Sequence, residues 1–361
     1  MSIKNDILTK LRDSRSFISG QELSEACGVT RTAVWKAVNR LREEGYGIEA
    51  VPNRGYRLTD PTGCDLCNAA ELEKALEITA WAGHPVLFRE ETGSTNKDVM
   101  ELADGGDAPE GLLVFAAKQT AGRGRRGRVW ISPPEGNIYM SILLRPVIPA
   151  DRAPMVTLVA AMAVCSALEK MCGEKARFAV KWPNDIVAVP RSALPEDGAV
   201  SAGGSGMRDS AGQGSTWKKV TGILTEMRLE ETRVKDVTIG IGINVNMEEI
   251  PGAVRETASS VREITGEVTN RAALTAAVWK RFEEYYGVFL ADGSLEGLRG
   301  AYEGMLVNLG RRVRVLDPAA PYEGTAEGIN GSGELLVRRE DGEIIPVSAG
   351  EVSVRGVEGY V

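Results

Sequence analysis

Between Lys118 and Arg128 the chain reads KQTAGRGRRGR, which sets Arg123, Arg125, Arg126 and Arg128 among Gly122, Gly124 and Gly127. Fixed guanidinium charges beside glycines that let the backbone approach closely make a receptor for phosphate or carboxylate. A second stretch, Lys181-Trp182-Pro183-Asn184-Asp185, places one lysine at the end of an apolar run at 178–180 and just before another at 186–189. Pro183 holds Trp182 extended and Asn184-Asp185 is turn chemistry, so Lys181 has a defined direction; taken alone, such a lysine is usually a solvated charge. A third stretch, Ser94-Thr95-Asn96, precedes a helical segment at 97–103. Its plainest reading is an N-cap, and its other reading is a set of hydroxyl, amide and N–H groups for a small polar ligand. The single histidine, His84, removes most Ser-His-Asp, Cys-His and two-His metal schemes. Lysine, arginine and backbone amides are left to carry the chemistry.

The elements around the arginines decide what the loop is. Gly122, Gly124 and Gly127 match the spacing of a dinucleotide-binding turn, but that device needs a helix opening directly after the glycines. Here Val129-Trp130-Ile131-Ser132-Pro133-Pro134-Glu135-Gly136 follows, and its prolines and glycine forbid regular helix. Apolar strand patterns at 112–117 and 138–144 flank the stretch, so it is a strand-loop-strand device. A flexible nucleic-acid-binding Arg/Gly tract is the bland alternative, disfavoured by those strands and by Trp130 and Tyr139.

At 361 residues, 43% apolar and 26% charged, the chain reads as a globular protein of two or three domains. Residues 1–13 carry charges without the apolar run of a signal peptide, and the longest apolar run, 155–168, is short for a bilayer span. A cytoplasmic location and no membrane partner are therefore expected. Five cysteines point to reduced thiols, and Cys64 and Cys67 form a C-x-x-C without a second pair at zinc spacing, so no metal site is expected.

Residues 1–60 hold ten Lys/Arg against eight Asp/Glu, while the remainder holds 33 against 42. Ser19-Gly20-Gln21-Glu22 is a capping-box start, with a helix to Cys27, a turn at Gly28-Val29-Thr30 and a second helix from Arg31 to Glu44. Val34, Val38 and Leu41 share one face of that helix, and a hairpin pattern follows at 48–51 and 56–58. This is a winged helix-turn-helix pattern, and Thr30, Arg31, Thr32, Trp35, Lys36 and Arg54 are the residues expected to meet DNA; a small protein-interaction module with a solvated charged face is the alternative. A linker is expected at 59–63, a flexible Gly/Ser-rich insertion at 191–216, and short strands between glycine turns at 313–315, 335–337 and 352–354.

Taken in order, ETGSTN at 91–96, KQTAGRGRRGRVW with SPPEGNIYMS, KWPND, GILTE at 222–226 and GIGINVN at 240–246 closely resemble the motifs of biotin protein ligases. With the helix-turn-helix ahead and the β domain behind, nearly the whole chain resembles the ligases that also act as biotin-operon repressors. The fold class is then α/β (α+β) and multidomain. It comprises a winged helix-turn-helix over 1–60, a central mixed-sheet, biotin/lipoate ligase-like domain over 68–304, and a small SH3-like β-barrel over 306–361.

The resemblance implies that biotin and ATP, with Mg2+, give biotinyl-5'-adenylate, whose biotinyl group passes to a lysine on the carrier domain of acetyl-CoA carboxylase or a related carboxylase. It implies that Lys181, Arg123 and Arg125 are catalytic. Ser94, Thr95, Asn96, Gln119, Gly122, Gly124 and Gly222 would bind biotin together with Arg123, Arg125 and Lys181. Arg126, Arg128, Trp130, Asn184, Asn244 and Asn246 would face ATP, although Trp130 reads better as an anchor of the loop. Operator DNA and a homodimer formed with adenylate bound are further implications. Some relatives stack a tryptophan on adenine after the GIGIN segment, whereas no aromatic occurs here from Met247 to Val278, so aliphatic packing is expected there. The insertion and the C-x-x-C also depart from the family pattern. A biotin-sensing repressor without catalysis and a lipoate or octanoate ligase are the rival readings.

Overall fold

The computed structural model describes residues 3–14, 16–59, 65–134, 136–194, 217–317, 320–349, 353–356 and 361. The expected linker residues 60–63, Cys64 and most of the 191–216 insertion lie outside them. The chain forms two compact units, residues 1–71 and 72–361.

In the first unit α1 (Ile3–Asp13), α2 (Gly20–Cys27) and α3 (Arg31–Glu43) precede a hairpin of β1 (Ile48–Val51) and β2 (Gly55–Leu58). The capping box forms in both directions: the Ser19 hydroxyl accepts from the Glu22 N–H at 3.1 Å, and the Glu22 carboxylate accepts from the Ser19 N–H at 2.7 Å. Gly28 ends α2 at φ 63°, where a side chain would be strained. Helix α1 is an element that the sequence reading did not expect. Its charges mask Ile7, Leu8 and Leu11, which turn inward against Val34, Val38 and Leu41 of α3. The unit also runs further than residue 60, because Glu71 receives both the Arg12 guanidinium and the Tyr46 hydroxyl.

Helix α4 (Ala69–Leu76) spans the boundary in the chain, and the second unit goes on with β3 (Val86–Thr92), α5 (Thr95–Asp104), β4 (Leu113–Gln119), β5 (Ile138–Leu144), α6 (Met155–Cys172), β6 (Ala176–Lys181), β7 (Asp185–Pro190), β8 (Lys218–Glu230) and β9 (Arg233–Ile243). The seven strands form one sheet in the order β3-β4-β5-β9-β8-β7-β6, parallel only between β3 and β4. Every residue of β5 is buried, as its continuous apolar run requires. Downstream lie α7 (Val261–Thr265), α8 (Arg271–Asp292) and α9 (Arg299–Met305).

One expectation is corrected here. The segment Ala150–Cys172 is long and apolar enough to cross a membrane by length and composition. In this fold α6 packs against α8 and the sheet, and its residues from Met155 to Leu168 are mostly buried. The chain ends in β10 (Arg312–Leu316), β11 (Tyr322–Ile329), β12 (Leu335–Arg338), β13 (Ile344–Val347) and β14 (Ser353–Gly356). They form an antiparallel sheet in the order β13-β12-β11-β10-β14. The strand patterns at 313–315 and 335–337 are found; β11, broken by Gly324 and Gly328, and β13 were not expected.

Candidate functional site

Strands β6 and β7 meet in a tight turn, and Lys181 and Asp185 stand opposite each other at its base. Two bonds from the C-terminal part of the unit hold the corner: Asn308 Oδ1 accepts from the Trp182 N–H at 2.9 Å, and the Trp182 indole donates to the Gly333 carbonyl at 3.0 Å. The Trp182–Pro183 peptide is cis. Lys181 is 5% exposed. Burial pushes its ammonium down to about 8; Asp185 opposes that shift, and Lys219, Arg355 and Arg128 add to it. Asp185 is ion-paired with Lys219.

A polar cluster occupies the N-terminus of α5. Ser94 sits at the N-cap position, but its side chain makes no capping bond, so the plain capping reading fails for this serine. The Thr95 N–H donates to Gln119 Oε1 at 2.9 Å, and the Thr95 and Ser141 hydroxyls lie 2.7 Å apart. Ser141 donates to Asn96 Oδ1 at 2.6 Å, and Asn96 Nδ2 donates to Glu226 at 2.7 Å. Gly240 on β9 makes room for this amide, since a Cβ there would collide with Asn96 Oδ1.

The Arg/Gly loop is a miniature hairpin closed by an Arg123–Val129 bridge and a Gly124 N–H to Arg128 carbonyl bond of 2.7 Å. It is the strand-loop-strand device expected, between β4 and β5. The Arg123 guanidinium donates to Glu226 at 2.8 Å. Arg125 donates to Asn184 Oδ1 at 2.9 Å and to the Ala349 carbonyl. Burial lowers the Arg125 pKa, Asp185 opposes the shift, and Arg126 and Arg128 add to it. The Trp130 ring lies on a floor made by the paired Gly222 and Gly242, with the Lys219 ammonium 5.3 Å from the ring centroid.

These groups share one cavity of about 430 Å³. Ser94, Thr95, Asn96, Gln119, Arg123, Gly124, Arg125, Arg126, Arg128, Trp130, Lys181, Asn184, Gly222 and Asn244 all line it. Two expected site residues do not. Gly122 is buried beneath the loop, where a Cβ would meet the Trp130 carbonyl and Ser132. Asn246 is a structural amide: its Nδ2 donates to the Thr269 carbonyl at 2.8 Å, and its Oδ1 accepts the Thr269 N–H at 2.9 Å. Where an adenine-stacking aromatic is missing, the wall is Met247, Pro251, Val254, Thr257 and Ala258.

Sequence reasoning missed Lys219, Arg355, Ser141 and Glu226. A lone serine in the apolar run of β5 was the one signal for Ser141. Arg355 enters from β14, 174 positions after Lys181 (355 minus 181), a distance over which no local pattern reports.

In the first unit Thr30, Arg31, Thr32, Trp35 and Lys36 are exposed together at the start of α3, and Trp35 is 55% exposed. The Thr30 hydroxyl is the helix cap, accepting from the Ala33 N–H at 3.2 Å. Arg54 on the hairpin is exposed and stacks on Phe17, with 4.5 Å between its guanidinium carbon and the ring centroid.

The biotin/lipoate A/B protein ligase family matches residues 90–244, an HTH domain residues 4–57, and a biotin protein ligase C terminal domain residues 309–355. The bifunctional ligase/repressor BirA of Bacillus spizizenii is 36% identical over 344 residues, which is 94% of this chain and 95% of that protein. The chain belongs to the bifunctional biotin ligase/repressor family. The Escherichia coli bifunctional ligase/repressor BirA is 28% identical over 351 residues, covering 97% of each chain. A solved biotin protein ligase from Aquifex aeolicus, in complex with biotin and ATP, superposes with a TM-score of 0.58 at 30% identity, covering 75% of this chain and 98% of its own. The ligase-family match spans the lining residues from Ser94 to Asn244, and the C-terminal match reaches Arg355.

Proposed function

We propose that this chain condenses biotin with ATP to biotinyl-5'-adenylate and then passes the biotinyl group to a lysine of a biotin carboxyl carrier domain, on acetyl-CoA carboxylase or a related carboxylase. The observation that carries the reading is the desolvated Lys181 ammonium, facing the same cavity as the Thr95–Asn96 cluster and the arginine loop.

In the first step a biotin carboxylate oxygen attacks the α-phosphorus and the bond to pyrophosphate breaks. Both reactants are anions, so the obstacle is repulsion, and cations fixed in advance are what lower it. Lys181 at the β6–β7 corner bridges carboxylate and α-phosphate. Arg126 and Arg128, exposed on the loop, meet the triphosphate, with Lys219 and Arg355 beside them. Arg123 and Arg125 position the loop through Glu226, Asn184 and Ala349. Ser94, Thr95, Asn96 and Gln119 hold the ureido head over Gly222, and Trp130, Asn184 and Asn244 bound the nucleotide side. In the second step the carrier lysine amine attacks the mixed-anhydride carbonyl and AMP departs. No covalent bond to this chain forms.

Among the described residues no cluster of three metal-ligating side chains occurs, and Asp185 is the one carboxylate lining the cavity. Asp185 is the residue that would neighbour a Mg2+ bound together with the nucleotide, and that ion would supply further neutralisation of phosphate charge. The helix-turn-helix face supports biotin-responsive repression at an operator. A two-fold operator calls for a homodimer, formed with adenylate bound, and both tasks place the protein in the cytoplasm.

Incubation with labelled biotin, ATP, Mg2+ and a recombinant carrier domain tests the transfer. Label is expected on the carrier and absent from a carrier whose target lysine is arginine. An unlabelled wild-type carrier would refute the reading.

A further inference from the structure

The hydrogen-bond chain behind the ligand-head cluster runs in one direction, and its direction is set outside the cluster. Glu226 on β8, paired with Arg123 at 2.8 Å, is as a carboxylate an acceptor-only group. The Asn96 amide must therefore turn its Nδ2 toward Glu226, at 2.7 Å, and toward the Leu224 carbonyl, at 3.3 Å. That leaves Asn96 Oδ1 facing Ser141, whose side chain on β5 is wholly buried and has one proton to give. Once Ser141 donates to Asn96, it can only accept from Thr95, 2.7 Å away. The Thr95 proton then goes to Ser141, with Gln119 Oε1 a longer second acceptor at 3.2 Å that also takes the Thr95 N–H. Thr95 lines the cavity, so what its hydroxyl presents there is a lone pair.

We propose that Glu226, acting through Asn96 and Ser141, is the positioning residue that makes Thr95 an acceptor and so selects a ligand head that donates an N–H. The ureido ring of biotin has such a group, and this inference rests on the biotin reading above. Because one Glu226 oxygen also holds Arg123, recognition of the head and placement of the arginine loop share a single anchor.

Glu226→Gln keeps the shape and gives position 226 a donor of its own, which frees the Asn96 amide to invert. Ser141→Ala cuts the chain at a different strand, so the test does not depend on one variant folding. Biotin-dependent ATP–pyrophosphate exchange is read for both with biotin and with a cyclic-carbamate analogue lacking one ureido N–H. The KM for biotin is expected to rise roughly tenfold in both, the scale of one lost ligand hydrogen bond; the KM for ATP should change little in Ser141→Ala and rise in Glu226→Gln, where Arg123 loses its carboxylate partner. The preference of the wild type for biotin over the carbamate should shrink in both variants. Exchange by the wild type with an unchanged biotin KM in both variants, or an undiminished preference, overturns the proposal alone. No exchange by the wild type with biotin overturns the function beneath it.

Discussion

In the proposed mechanism Lys181 sets the pH response of the chemistry. Its folded-state pKa of about 8 lies below the ordinary 10.5, because burial penalises the charged form. The cationic form needed against a carboxylate and a phosphate is present below that value and is lost as pH rises through it. For the free enzyme, kcat/KM for biotin should therefore fall above pH of about 8, whereas Lys181→Arg should flatten that limb, since guanidinium does not titrate there. A wild-type profile level to pH of about 10, beyond that pKa, would remove Lys181 from the step. At this scale the sequence was most informative. Lys181, Asn184 and the arginines carry turn, strand-end and charge signals within a few neighbours. Asn246 misled because it belongs to the same GIGINVN run as Asn244, and two positions further along the chain leaves the cavity for Thr269. Ser141, Lys219 and Arg355 were hidden because their roles come from strand register.

Among the elements, β8 and β9 make the floor and α8 holds the far side in place. Glu283 on α8 accepts the N–H groups of Ala80, Trp81 and Ala82 at 2.7, 2.7 and 3.0 Å, pinning the turn that leads into β3. The carboxylate is 8% exposed, and replacing it takes the acceptor from three backbone N–H groups, that of the buried Ala82 among them. Glu283→Ala should lower stability by about 3 kcal/mol, the scale of lost bonds to a charged acceptor, with a lower urea midpoint as the readout. A midpoint within error of the wild type would show that water replaces the carboxylate. Element patterns were legible where periodicity was clean, as in α3, β5 and the capping box of α2. They failed at α1, whose inward Ile7, Leu8 and Leu11 sit among charges, and at β11, whose glycines interrupt the alternation. Nothing local could say that α6, apolar along its length, is wrapped by α8 and the sheet.

For the whole molecule, the proposed function divides between the two units. Trp35 and Lys36 belong to the first, and none of the groups around Lys181 does. Lys36→Ala should weaken operator binding across sequences and reduce the salt slope by about 1, as loss of one phosphate contact does, while pyrophosphate exchange stays at the wild-type rate. An unchanged gel-shift affinity and slope would take α3 off the DNA. The order of the motifs revealed this division along the chain, because each motif is local. The joining of β14 and the Ala349 carbonyl to the loop and the Lys181 corner was not legible, since it depends on how the last strands close over the cavity.

The account stands on adenylation at the cavity that Lys181, the Thr95–Asn96 cluster and the arginine loop share. Biotin-dependent exchange of labelled pyrophosphate into ATP, with lipoate run alongside, measures that step without carrier or DNA. Exchange with biotin, little or none with lipoate, and loss of the signal in a folded Lys181→Ala variant are the predicted results. No exchange with biotin, or near-normal exchange in Lys181→Ala, would contradict it.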